Sequence, residues 1–217
     1  MKDLSDPQIT SNLDKFLRHR NALARYSSFD YCYNYFRSFF IDEKTSTLGD
    51  EENSQNSCLQ LGFYLASWGM YRGSAPILQT SVASLKPVID VVAAASPELW
   101  NLDVPGYDDE KVDKLVNNLE EIRKAFSHKV SNTLVTKVAL GVFGNIPAFD
   151  RYFIEGSGLR RPLRKNLLEL RKFYFRHNEI IDAQQIETFD FVPSVKTKNI
   201  YPIAKKLDMI FFVEGAR

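Results

Sequence analysis

The sequence predicts an all-α fold in a single compact domain, and three observations predict it. Stretch after stretch repeats apolar residues at the three-to-four spacing of a helix face. No run alternates well enough to build a sheet, FDFVP being the best short strand candidate. Apolar residues at 44% and charged residues at 25% supply an ordinary globular core for 217 residues.

Residues 10 to 24 read as a first helix, with Leu13, Phe16, Leu17 and Leu23 inward and Thr10 or Ser11 as its cap. Residues 28 to 41 set Phe29, Tyr33, Phe36, Phe39 and Phe40 on an aromatic ridge. The polar, acidic run 42 to 57 holds almost nothing to bury and reads as a flexible surface loop. A helix over 57 to 73 follows, carrying Leu61, Leu65 and Trp68 with small Gly62, Ala66 and Gly69 between them. Pro76 and Pro87 suit helix first turns, which gives helices over 76 to 84 and 87 to 96. After the breaker VPGYDD, Asp108 caps an amphipathic helix over 109 to 129 with the stripe Val112, Leu115, Val116, Leu119, Ile122 and Phe126. SNTLVTKVALGVF, 131 to 143, is apolar all round, as a central helix would be, and Gly144 suits its left-handed end. Pro147 opens a short helix closed by Gly156. A basic helix over 160 to 177, a shorter one over 179 to 188, a Pro193 loop and a terminal helix over 199 to 213 complete the chain.

Composition excludes several classes. Lys and Arg exceed Asp and Glu by one, so no whole-molecule field draws in nucleic acid or an anionic membrane, and any such contact is local. The start MKDLSDPQITSNLDK has no apolar leader core, and no stretch reaches the roughly 18 apolar residues of a spanning helix, so the expectation is a cytoplasmic protein with no membrane contact. Cys32 and Cys58 fit no metal pattern and suit reduced thiols. His19, His128 and His177 stand on separate segments, so neither a metal nor a cofactor is expected. Phosphate-cradling glycine loops and the nucleophile elbow of common hydrolases are absent.

Three constellations carry chemistry. Arg161, Lys165, Lys172 and Arg176 recur at one-sided helical spacing opposite Leu159, Leu163, Leu167, Leu170 and Tyr174, a cationic face able to meet the phosphates of a nucleic acid. The alternative is a solvated face paired with acidic neighbours. Lys137 stands among Val135, Val138, Ala139 and Leu140; a desolvated lysine can become a nucleophile, or its stem can carry the charge out to water. Asp150 sits where the dipole of a short helix favours a carboxylate, and Trp68 with Arg72 is spaced for cation–π stacking.

LGFYLASWGMYRGS and TKVALGVFGNIPAFDRYF resemble the two signature stretches of a bacterial protein family for which no activity is established. The second stretch is also distantly similar to the helix-hairpin-helix DNA glycosylases, where a lysine-bearing helix runs through a proline loop to an aspartate opening the next helix. The resemblance implies a glycosylase-like helical core, with Lys137 attacking the sugar carbon, Asp150 stabilising the developing sugar cation and Trp68 or Tyr71 stacking on an extruded base. The rival expectation is a non-catalytic interaction or scaffold protein, bound to a protein partner or to a second copy.

Overall fold

The computed structural model describes residues 1–191 and 196–217; the Val192 and Pro193 end of FDFVP and the loop expected around Pro193 lie outside them. The described chain is mostly helical, with one small hairpin.

The first helix, α1 (Asp6–Arg18), starts earlier than its apolar spacing suggests. Pro7 occupies the first turn, and Ser5 with Gln8 forms a reciprocal capping box. Its inner face is Ile9, Leu13 and Phe16, whereas Leu23, expected in the core, lies beyond the helix and is 88% exposed. The second helix, α2 (Ser28–Ile41), buries Phe29, Tyr33 and Phe36, and half-buries Phe39 and Phe40.

The run 42 to 57 is ordered rather than a flexible loop. A 3-10 turn (Thr45–Gly49) drives Leu48 fully into the core, and α3 (Glu51–Ser67) begins at once behind it. Acidic Glu51 and Glu52 in the first turn of α3 suit its dipole. The hydroxyl of Ser57 donates to the Leu48 carbonyl over 2.9 Å, and the Asn53 amide donates to the Thr47 carbonyl. One buried leucine and a few side-chain-to-backbone bonds order a segment whose composition reads as solvent.

Helix α3 ends at Ser67, and Gly69 takes a left-handed φ of 76° just beyond. Two 3-10 turns, Pro76–Gln79 and Val82–Leu85, replace the first proline-led helix; α4 (Lys86–Ala93) and the short α5 (Pro97–Asn101) follow. Helix α6 (Asp109–Ala125) carries the expected stripe, and Asp108 accepts from the Lys111 amide as its cap. Helix α7 (Asn132–Phe143) is the central helix: every residue from Leu134 to Phe143 is buried. Gly144, at φ 68°, ends it in the left-handed conformation.

The helix expected from Pro147 instead begins four residues later, as α8 (Arg151–Ser157), capped by Asp150. Its partner is the terminal helix α11 (Ile203–Gly215). A Cβ on Gly156 would stand 2.0 Å from the Phe211 carbonyl oxygen, and one on Gly215 would stand 1.9 Å from the Tyr152 carbonyl oxygen. Backbone meets backbone there, and only glycine at both positions allows it. Helix α9 (Arg164–Arg176) is shorter than expected; α10 (Asn178–Ala183) follows, and its expected continuation is strand β1 (Glu187–Phe189), antiparallel to β2 (Lys196–Ile200).

Among the described residues no helix is long and apolar enough to cross a membrane.

Candidate functional site

Lys137 and Asp150, thirteen residues apart, meet. Helix α7 directs Lys137 toward the N-terminus of α8, where its Nζ lies 3.0 Å from Asp150 Oδ2. The other Asp150 oxygen accepts from the Phe153 amide as the helix cap. Lys137 does not carry its charge out to water: its side chain is 4% exposed, and that of Asp150 is 14% exposed.

A second pair from α11 stands beside the first. Lys205 donates to Asp208 over 2.8 Å, both almost fully buried, and Asp208 also accepts from the Ala148 amide at 3.0 Å. The ring of Trp68 joins the two pairs, with Lys137 Nζ 5.0 Å and Lys205 Nζ 5.2 Å from its centroid. Tyr26 stacks on the same ring at 5.5 Å, and the Arg25 guanidinium stands 5.6 Å from its centroid. Trp68 Nε1 is buried and has no hydrogen-bond partner.

Arg72 is not the stacking cation: because α3 stops at Ser67, Arg72 is no longer one helical turn from Trp68, and its guanidinium lies against Gly69. Trp68 itself is committed to Tyr26 and the cations. Among the described residues, Lys137, Asp150, Lys205 and Asp208 line none of the clefts beside α9, between α2 and α3, at the α2–α3 turn, between α3 and α4, or at α5–α6.

The cationic face of α9 is divided. Arg161 precedes the helix, because α9 starts at Arg164. Lys172 pairs with Glu169 at 2.8 Å, Arg176 with Asp3 at 3.3 Å, and Arg164 with Asp109 at 2.7 Å. Of the four cations expected to track phosphates, Arg161 and Lys165 have no acidic partner among the described residues. Among those residues no group of His, Cys, Asp and Glu could hold a metal, and Cys32 and Cys58 are free, buried thiols. Burial lifts both thiols above their ordinary range.

The feature that the sequence did not disclose is a cleft of about 810 Å³ between the α1–α2 connection, α2, α3 and the end of β1. Leu23, Leu59, Phe63 and Phe191 surround it, exposed by 88%, 45%, 68% and 82%. Arg25, Tyr31, Gln60 and Ser67 supply its polar edge. The signal in the sequence was Leu59 and Phe63 at a four-residue spacing on the side of α3 away from Leu61 and Leu65.

Comparison with protein-family models, with curated proteins and with solved structures finds no match for this chain.

Proposed function

We propose that this chain is a non-catalytic interaction protein that seats a segment of another protein in the cleft between α2, α3 and the α1–α2 connection. The observation that carries the reading is the convergence of Leu23, Leu59, Phe63 and Phe191 on one concavity. Singly exposed apolar residues are ordinary, whereas a contiguous exposed apolar patch marks an interaction surface.

The volume alone would suit a small molecule. The shape favours a chain. Leu23 and Phe191 are each more than 80% exposed, so they stand out from the cleft rather than floor it, and a small ligand would leave them in water. A peptide segment, with side chains on either side of its axis, covers both the floor and the projecting residues.

The glycosylase-like alternative draws support from the meeting of Lys137 with Asp150, but both are held in a pair packed against Trp68 and neither lines the α2–α3 cleft. Nucleic-acid contact through α9 is weakened by the acids that take Lys172 and Arg176.

The test is selection of a displayed library of random peptides on the full chain, followed by counter-screening on Phe63→Asp and Leu23→Asp. Both variants change exposed positions and should melt within about 0.5 kcal/mol of the parent. The selected peptides should be rich in large apolar residues and lose about tenfold or more in affinity on Phe63→Asp, as a central anchor does. Failure to enrich any peptide over the Phe63→Asp background, or equal binding to both, would overturn the reading.

A further inference from the structure

The cleft has one charged side chain, Arg25, among the residues lining it. Arg25 is exposed and has no acidic partner among the described residues. It is nonetheless held in place. Its guanidinium lies 5.4 Å from the Tyr26 ring centroid and 5.6 Å from that of Trp68, two rings stacked within 15° of parallel. A guanidinium fixed over aromatic faces keeps its in-plane N–H groups free for an acceptor.

The surroundings say what acceptor is missing. Three cations, Arg25, Lys137 and Lys205, stand within 5.6 Å of the Trp68 centroid. Two of them have a carboxylate, Lys137 in Asp150 and Lys205 in Asp208. The third does not, and it is the one that faces the cleft. One unmatched positive charge, presented as a planar fork beside an apolar surface, is the counterpart of a single carboxylate flanked by apolar groups. A phosphate, with close to two charges, would be left about one charge in excess beside this one guanidinium.

Resting on the reading of the cleft as a protein-docking surface, we infer that its occupant is an acidic–apolar segment, whose carboxylate pairs with Arg25 while its large apolar side chains cover Leu23, Phe63 and Phe191. Arg25 is then the specificity-determining residue of the surface. Its contact with Trp68 makes docking visible from inside the protein. A carboxylate drawn to Arg25 shifts the field on the indole, and the other tryptophan, Trp100, is buried against Phe40 and Phe143 away from this cleft.

The probes are the peptides selected on the full chain, resynthesised with each Glu or Asp changed to Gln or Asn. The selected pool should hold an acidic residue at a fixed place between apolar ones, and a pool selected in parallel on Arg25→Gln should not. Neutralising the peptide acid should weaken binding about tenfold, Arg25→Gln should do the same, and the two changes together should cost little more than either, the signature of one shared contact. Arg25→Lys, which keeps the charge and loses the fork, should fall between. Binding should shift Trp68 emission in the parent, and a Trp68→Phe variant that still binds should lose that shift.

Peptides that lose affinity on Phe63→Asp but show no acidic preference and bind Arg25→Gln unchanged would overturn this inference and leave the docking surface standing. A pool that fails on every form of the protein would remove both. Acid-dependent binding that leaves the parent's emission unchanged would refute the link to Trp68.

Discussion

Two buried polar clusters, one built on an arginine and the other on two lysines, solve the same physical problem in different ways. In the first, the Arg20 guanidinium donates to Asp30 over 2.5 Å, to the Glu187 carbonyl over 2.6 Å and to the Tyr201 hydroxyl over 2.7 Å. Asp30 also accepts from the Phe189 amide and from the Tyr201 hydroxyl. Phe189 and Tyr201 lie under the guanidinium plane at 4.1 Å and 4.8 Å. Arg20, two residues past α1, thereby fixes the connection to the first turn of α2 and to the hairpin through a single planar fork.

The lysine cluster is looser. Each ammonium has three N–H groups, and Lys137 and Lys205 each direct one to a carboxylate while lying over the face of Trp68. The indole N–H has no partner. A fork fixes direction, whereas a point charge over a ring tolerates displacement. The closed cluster therefore ties the frame, and the tolerant one lies behind Arg25, at the cleft proposed as a docking surface.

That contrast can be broken by experiment. Asp30→Asn should be the most damaging change, costing about 3–5 kcal/mol in urea unfolding, because it leaves the Arg20 charge buried without its counterion. Burial is the largest influence on Asp30 and raises its carboxyl above the ordinary range, while Arg20 and the hydrogen bonds from Tyr201 and Phe189 pull it back down. A loss under about 1 kcal/mol would show that the fork is not holding the frame.

Next comes Asp103, a carboxylate held without any fork. It accepts from the amides of Val104, Ile203 and Ala204, and burial pushes it up to about 6 from 3.8. A raised folded value means that its contribution to stability is complete below about pH 4 and is lost as pH rises through about 6. The advantage of the parent over Asp103→Asn should therefore be greatest near pH 4 and shrink by about 3 kcal/mol by pH 7, at 1.36 kcal/mol per unit. An advantage that grows with pH would contradict this.

The smallest effect is expected at the lysines. Lys137→Met should cost about 2 kcal/mol, less than Asp30→Asn because Asp150 keeps the Phe153 amide and some contact with water. Adding Asp150→Asn should recover part of that loss, with a coupling above about 0.5 kcal/mol. Additive losses would mean that the two groups are neighbours without being a pair.

The helical frame was legible where periodicity was long, as in α6 and α7, and where punctuation was strong, as at Asp108 and Gly144. It was not legible where order rests on one residue. Leu48 alone draws 45 to 49 into the core, and no composition measure registers a single leucine. Pro7 hid the start of α1, because its turn precedes the first inward residues.

The candidate residues were legible as oddities rather than as a site. A lysine inside an apolar helix reads as a nucleophile or as a stem reaching water, whereas it pairs with Asp150. Its companions Lys205 and Asp208 come from a helix more than fifty residues further on, and sequence spacing carries no sign of such a meeting. Leu23 was placed inward because it continues a helical spacing that the chain abandons at Arg18. The cleft was missed for the same reason: its walls come from separate parts of the chain.

The connection from Gly144 to Phe149 is buried throughout and has no helix of its own to satisfy its backbone. Side chains do that work: the Ala148 amide donates to Asp208, the Phe149 amide to Thr136, and the Asn145 and Phe149 carbonyls accept from Tyr107 and Thr133. Amide hydrogens of loops ordinarily exchange with solvent through small, frequent openings. Here, freeing Ala148 or Phe149 requires detaching α11 or α7, so their deuterium uptake should follow the slow opening of the core. In exchange kinetics this irregular stretch belongs with the slowest-opening unit of the protein, and an exchange map would draw it as part of the central helix.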